Sequence, residues 1–310
     1  MCIMTQMSII FLGTGGSWPS VHRNVSATAV KRGSDVILFD CGEGTQRQIQ
    51  KSSLSYMQIS TICITHFHGD HILGLPGLIQ TMQLNDREKP LHIYGPQGID
   101  VLIDQIVHLG YFSARFPIFA HELTDGDVVK SDGYMLKAVS VSHNVPALAY
   151  VFEEYQRPGK FNKVKALELG VPEGPLFSKL QKGKTVTLEN GKRISSSVVL
   201  GPSRPGRKLV FSGDTTVSDT LCKAAHHADV LVHEATFSSD MEETASDYGH
   251  STAKQAAELA KKAQVNRLYL THISPRYLDV SALLKEAQEV FPDSCIVRDF
   301  QEVEVKYSKN

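Results

Sequence analysis

Three imidazoles and a carboxylate fall within six residues in His66-Phe67-His68-Gly69-Asp70-His71. Neutral imidazole nitrogens and carboxylate oxygens are the donors that hold zinc and other divalent ions, and packing gives no reason to concentrate them in this way. An apolar strand predicted at residues 61–64 runs straight into the group. Because side chains alternate along a strand, His66 and His68 are expected to point the same way, and Gly69 is expected to allow a sharp turn that brings Asp70 and His71 round to a neighbouring point. Donors for two adjacent ions are thereby supplied. Thiolates take no part: Cys2, Cys41, Cys63, Cys222 and Cys295 are odd in number, far apart and without a C-x-x-C pair, which predicts neither a disulfide scaffold nor a zinc ribbon.

A two-metal site needs further donors, and three occur downstream. His143 follows a strand predicted at residues 136–142, Asp214 lies in Phe211-Ser212-Gly213-Asp214-Thr215, and His272 follows a strand predicted at residues 267–271. Each stands at a strand end, and residues at the carboxyl ends of several strands can converge on one rim of a sheet. Zinc is the expected ion, with manganese or magnesium compatible, and such sites keep a position open for water.

The pattern H-x-H-x-D-H followed by separated His, Asp and His resembles the mark of the metallo-β-lactamase superfamily, over nearly the whole chain. Phe11-Leu12-Gly13-Thr14-Gly15, Asp40-Cys41-Gly42-Glu43-Gly44-Thr45-Gln46, His233-Glu234-Ala235-Thr236-Phe237 and His250-Ser251-Thr252 further resemble the short form of the tRNase Z family, endoribonucleases that mature tRNA 3′ ends. That resemblance implies two zinc ions per subunit, one held by His66, His68 and His143, the other by Asp70, His71 and His272, with Asp214 bridging them. The spacing alone does not give this partition. It further implies that Asp70 orients the attacking water and accepts its proton, that His250 protonates the departing 3′ oxygen, and that Glu234 keeps that imidazole charged.

Other residues take their expected places around these. Thr252-Ala253-Lys254-Gln255 reads as a helix capping box, so His250 is expected just before a helix start, where backbone N–H groups favour phosphate. With seven ligand positions filled, Asp40, which follows a strand at residues 36–39, is expected to accept the outer N–H of a ligating histidine. Arg23-Asn24 and Arg276 are candidates for substrate phosphate contacts, because guanidinium groups bind phosphate bidentately and the family has similar elements at both places. His233 is expected only to satisfy backbone groups, and His92, His108, His121, His226 and His227 match no motif. Gly13-Thr14-Gly15-Gly16 does not open a G-x-G-x-x-G helix and is read as a turn.

The elements that must position these residues are strands at about 8–12, 35–39, 61–65, 208–211 and 267–271, interleaved with helices at about 72–84, 97–109, 216–226, 252–263 and 280–290. That interleaving predicts a layered α/β architecture, and the resemblance specifies a four-layer αββα sandwich in one catalytic domain, residues 1–310. Residues 153–206 break the rhythm with Arg157-Pro158-Gly159-Lys160, Gly174-Pro175 and Gly201-Pro202-Ser203-Arg204-Pro205-Gly206, and read as an insert. Within it a short helix is predicted at residues 163–169 and a tight hairpin around Asn190-Gly191. Over residues 153–208 twelve basic side chains face five acidic ones, a net +7, whereas the whole chain of 310 residues is at -1. An asymmetry of this kind suits an arm that meets a polyanion, and the insert matches the family's flexible tRNA-binding arm.

At 310 residues, 42% hydrophobic and 21% charged, the chain belongs to the globular class and not to the disordered or fibrous ones. No apolar run approaches the ~18–20 residues that cross a bilayer, and residues 1–15 lack a basic region and a cleavage site, so a cytoplasmic protein without a membrane partner is expected. The expected reaction is removal of the 3′ trailer from precursor tRNA, leaving a 3′ hydroxyl on the tRNA and a 5′ phosphate on the trailer. A homodimer in which one subunit's arm serves the other's site is implied by the same resemblance. The alternatives are a small-molecule phosphodiesterase or other hydrolase of this fold, and a non-catalytic zinc-containing RNA-binding protein.

Overall fold

The β-branched runs become strands and the segments between them helices in the computed structural model, which describes residues 5–308; Cys2 lies outside the described residues. In chain order the strands are β1 (Met7–Gly13), β2 (Ala27–Arg32), β3 (Asp35–Phe39), β4 (Ile59–Cys63), β5 (Leu91–Gly95), β6 (Ile118–Glu122), β7 (Val128–Ser131), β8 (Tyr134–Val141), β9 (Ala147–Glu154), β10 (Val186–Thr187), β11 (Arg193–Ile194), β12 (Lys208–Phe211), β13 (Val230–Glu234), β14 (Leu268–Thr271), β15 (Ser294–Ile296) and β16 (Glu302–Glu304). The helices are α1 (Thr45–Lys51), α2 (Gly69–Ile72), α3 (Leu75–Leu84), α4 (Ile99–Val107), α5 (Lys163–Glu168), α6 (Pro175–Gln181), α7 (Asp219–Ala224), α8 (Glu242–Asp247), α9 (Ala253–Lys262) and α10 (Ser281–Val290).

Two seven-stranded sheets result, ordered β16-β1-β2-β3-β4-β5-β6 and β15-β14-β13-β12-β9-β8-β7. Each carries a parallel run, β3 to β6 in the first and β12 to β15 in the second. Parallel neighbours need a crossover, and the helices between consecutive strands provide it. Alternation along the strands then sets the layers. Met7, Ile9 and Phe11 of β1 join Phe39, Tyr150, Phe152, Phe211 and Val232 in a core between the sheets, where the Phe39 and Phe211 rings stack at 3.9 Å. Ile10 and Leu12 face the other way, into a core with Ile49, Leu78, Ile79 and Ile103 of α1, α3 and α4. On the far side Val210, Leu231 and Leu268 pack on Leu221, Ala256, Ala257, Ala260 and Leu283 of α7, α9 and α10. The order is therefore αββα, as expected, and each Leu, Ile or Phe fully buried in it contributes about 1.5–3 kcal/mol.

Three local outcomes bear on the site. Gly69 opens α2 and does not make a left-handed turn; one turn of helix carries the chain from His68 to Asp70 and His71. The expected helix at 216–226 is confined to α7, whose start is capped by the Ser218 hydroxyl accepting from the Leu221 N–H. The capping box at α9 is formed on both sides, Thr252 Oγ1 accepting from Gln255 N at 3.2 Å and Gln255 Oε1 from Thr252 N at 2.9 Å.

Residues 6–153 and 208–306 make up the sandwich, and Glu154–Arg207, with Thr5 and residues 307–308, make up a second compact unit. The latter has a small core of Ala166, Val171, Phe177, Leu180, Val186, Leu188, Ile194 and Val199. Its hairpin β10–β11 turns through Asn190-Gly191, with Gly191 at φ 81°. At its root the Arg207 guanidinium, buried with the Glu154 carboxylate, donates to it from Nε at 2.9 Å and Nη2 at 2.8 Å. Among the described residues no helix is long and apolar enough to cross a membrane.

Candidate metal centre

The chain ends of β4, β8, β12 and β14 deliver His66, His143, Asp214 and His272 to one rim, and α2 adds Asp70 and His71 beside His68. Donor atoms of His66, His68, His143 and Asp214 lie within 4.8 Å of one another, and so do those of Asp70, His71 and His272. Asp214 Oδ2 stands at the middle, 3.3 Å from His272 Nε2, 3.4 Å from His71 Nε2 and 3.7 Å from His66 Nε2. His272 Nε2 is 3.2 Å from Asp70 Oδ2, and His143 Nε2 is 3.4 Å from His68 Nδ1.

The histidines are aimed from behind. His71 Nδ1 donates to Asp40 Oδ2 at 2.8 Å, His66 Nδ1 to the Thr65 hydroxyl at 3.0 Å, His272 Nδ1 to the Thr236 hydroxyl at 2.9 Å and His143 Nδ1 to the Gly249 carbonyl at 2.7 Å. Each of the four is left with Nε2 facing Asp214 or its neighbours, and on taking up a cation would give up any Nε2 proton and ligate through that nitrogen. His66 Nε2 is buried and has no hydrogen-bond partner among the described residues, a costly state that a cation would relieve. Ring nitrogens and two carboxylates converging on shared points, without thiolate, therefore fit divalent cations of the zinc class.

Backbone strain serves the same arrangement. Asp40 follows β3 at φ 58° and His272 follows β14 at φ 56°, left-handed conformations uncommon outside glycine. A Cβ on Gly16 would come within 2.4 Å of the His272 ring, so only glycine lets that imidazole lie against the loop. Ser17, the next residue, donates its N–H to Asp70 Oδ2 at 2.6 Å.

Burial opposes the charge of Asp70, yet its hydrogen bond from His272 and the nearby His71 hold its carboxyl well below the usual carboxylate range. Burial likewise opposes ionisation of Asp214, and His272 and His71 hold it well below the usual carboxylate range. Beside this group His250 Nδ1 donates to Glu234 Oε1 at 2.9 Å. Glu234, almost fully buried, also accepts from the N–H groups of Thr215 and Thr236 and from the Thr236 hydroxyl. Burial disfavours a charged His250, but the Glu234 carboxylate and its hydrogen bond prevail and push it up to about 9.

The structure thus brings together Asp40, His66, His68, Asp70, His71, His143, Asp214, Glu234, His250 and His272. It does not bring in Arg23, Asn24 or Arg276, none of which hydrogen-bonds to a residue of this group. Arg23 Nη1 donates to the Thr14 hydroxyl at 2.7 Å and the Val297 carbonyl at 2.6 Å, and Asn24 Nδ2 to the Glu43 carbonyl at 2.8 Å. Arg276 lies over the Phe237 ring, with Nε donating to the Ser274 hydroxyl. His233 Nδ1 donates to the Glu234 carbonyl, the backbone role expected of it. Sequence reasoning passed over Thr65, Thr236 and Gly16; the first two adjoin the motif residues, and that adjacency was the available signal.

Comparison with known proteins agrees with this geometry. Residues 7–111 match the family profile described as anti-Pycsar protein Apyc1, and residues 177–273 the beta-lactamase superfamily domain. Ribonuclease Z of Methanosarcina acetivorans is 46% identical over 97% of this chain and 99% of its own length. Ribonuclease Z of Myxococcus xanthus is 49% identical over 93% of this chain and 94% of its own. Among solved structures, human tRNase Z, short form, superposes with a TM-score of 0.71 at 28% identity, covering 96% of this chain and 99% of that one. The chain accordingly belongs to the ribonuclease Z family and carries the metallo-β-lactamase fold.

Proposed function

We propose that this protein is an endoribonuclease that removes the 3′ trailer from precursor tRNA in the cytoplasm, leaving a 3′ hydroxyl on the tRNA and a 5′ phosphate on the trailer. The observation that carries this is the full-length relationship to ribonuclease Z proteins, at 46% identity over 99% of one of them. The His250–Glu234 pair beside the ligand group supports it, because phosphodiester hydrolysis needs an acid for the departing oxygen.

In this reading His66, His68 and His143 would hold one zinc ion and Asp70, His71 and His272 a second, with Asp214 available to both; manganese or magnesium would fit the same donors. Two such ions would polarise the phosphodiester and make hydroxide available at neutral pH. Asp70 orients the attacking water and draws on its proton. His250 donates a proton from Nε2 to the departing 3′ oxygen, and Glu234 holds the opposite nitrogen so that the ring stays charged until then. Asp40 fixes the orientation of His71 through the 2.8 Å hydrogen bond. Arg23, Asn24 and Arg276 are the candidates for substrate phosphate contacts, and their hydrogen bonds to Thr14, Val297, Glu43 and Ser274 brace the loops that carry them. The basic arm grips the folded body of tRNA by backbone and shape, and in a homodimer it serves the partner's site.

The test is incubation with a 3′-extended precursor tRNA, with and without chelator, beside Asp70→Ala. One metal-dependent cut at the end of the acceptor stem, lost in the variant while RNA binding persists, is expected. Folded, metal-loaded protein that leaves the precursor whole sinks the proposal.

A further inference from the structure

Trp18 is the only tryptophan in the chain, and it is 61% exposed. A residue of this size ordinarily buries 150–250 Å² of largely apolar surface, so leaving it in solvent forgoes a large stabilisation. Its indole makes no hydrogen bond or ring contact with the described residues. Its place is set by the metal centre: Ser17, at φ 66°, donates its N–H to Asp70 Oδ2, and the Trp18 N–H donates to the Gly16 carbonyl at 2.8 Å. Across from it Leu73, one residue beyond α2, is 59% exposed. Trp18, Pro19, Val25, Leu73, Glu43 and Asp70 line a cleft of about 160 Å³. At about 30 Å³ per water that is room for roughly five waters, the scale of a single flat ring.

The chemistry of the cleft selects its occupant. Glu43 and Asp70 line it and no cationic side chain does; with Asp70 committed to the ligand group, the cleft itself offers a phosphate no cationic partner, only the apolar surface of Trp18, Pro19, Val25 and Leu73. An uncharged planar ring can instead lie on the indole, and stacking on aromatic side chains is how proteins hold unpaired bases. The departing 3′ oxygen belongs to the last nucleotide retained by the tRNA, and its proton comes from the His250 side of the centre. The nucleotide beyond the cut shares the scissile phosphate with that nucleotide and is single-stranded, so its base is free to reach a ring surface beside Asp70. Resting on the function proposed above, we infer that Trp18 is a substrate-positioning residue on which the base of the first trailer nucleotide stacks, with Leu73 closing the cleft from the other side.

The single tryptophan supplies its own readout. Metal-loaded protein is titrated with three RNAs: a precursor whose departing 3′ oxygen is replaced by methylene and cannot be cut, the same RNA with no base at the first trailer position, and mature tRNA lacking the trailer. Binding is followed by mobility shift and tryptophan emission in parallel. Emission should be quenched by the first RNA and unchanged by the other two at matched occupancy. With cleavable precursor, Trp18→Ala should raise KM about tenfold, within the range that one base–aromatic stack contributes, and Trp18→Phe should largely restore it. With the base removed, wild type and both variants should coincide. Bound precursor without quenching, or equal quenching by the abasic RNA, overturns the stacking site alone. If none of the three RNAs binds wild-type protein, the proposed function fails and the stacking site with it.

Discussion

Four histidines of the centre have their Nδ1 hydrogens tied to an oxygen, and those oxygens come from unlike sources: a carboxylate, two threonine hydroxyls and a carbonyl. The aim of each ring is thus fixed before any ion arrives, and small backbone shifts should be felt as lost affinity. Gly16 tests this without touching a ligand. In Gly16→Ala the new Cβ would meet His272 Cε1 at 2.4 Å, and backbone and ring must part to make room. The expected outcome is a folded protein that loses metal from the Asp70, His71 and His272 group first. Metal content after dialysis against graded chelator, with circular dichroism as the fold control, measures it; unchanged retention would mean that the loop simply yields. This residue also marks where sequence reading stops. The run from His66 to His71 is legible because its donors are contiguous, whereas the contact of Gly16 with His272 exists only after β1 and β14 have been folded into different sheets.

Strands and helices were legible in proportion to their apolar content. β3 and β12 coincide with the runs read from sequence, since Val36-Ile37-Leu38-Phe39 and Leu209-Val210-Phe211 are unbroken apolar runs, too short for a helix and holding β-branched and aromatic side chains. α1 was not seen, because Thr45-Gln46-Arg47-Gln48-Ile49-Gln50-Lys51 has a single aliphatic residue and no helical period. It forms because tertiary contacts bury Thr45, Gln48 and Ile49. α9 was seen from both its period and its cap, and it has a functional neighbour, since His250 lies two residues before the cap. Thr252→Ala removes the acceptor for Gln255 N, and loss of such a cap costs about 1 kcal/mol. Urea unfolding should register that loss in the midpoint with an unchanged slope, because the surface exposed on unfolding stays the same. Thr252→Ser, which keeps the hydroxyl, should recover it.

At the scale of the whole molecule the chain divides its charge as it divides its fold. The insert holds the positive excess and the remainder of the chain is acidic, and the proposed function accordingly assigns the grip on RNA phosphate to the arm. The sequence made the insert legible through its proline, glycine and lysine content, but its internal core was hidden, since Phe177, Leu180, Val186 and Ile194 acquire a common interior only when α6 and the hairpin meet. That core makes deletion a clean experiment. Arg157 and Arg204 exchange backbone hydrogen bonds at 2.8 and 2.9 Å, so residues 158–203 can be replaced by a short glycine turn between two ends that already pair. The shortened protein loses eight basic and three acidic side chains and no residue of the metal centre. Hydrolysis of a small phosphodiester such as bis-p-nitrophenyl phosphate should persist, because the donors and the His250–Glu234 pair are untouched. Binding of precursor tRNA should weaken strongly, and what remains should depend less steeply on salt, since fewer counterions are released from the RNA. Parallel loss of both activities in a protein with an intact circular dichroism spectrum would show that the arm supports the chemistry itself, and the division between gripping and cutting would have to be abandoned.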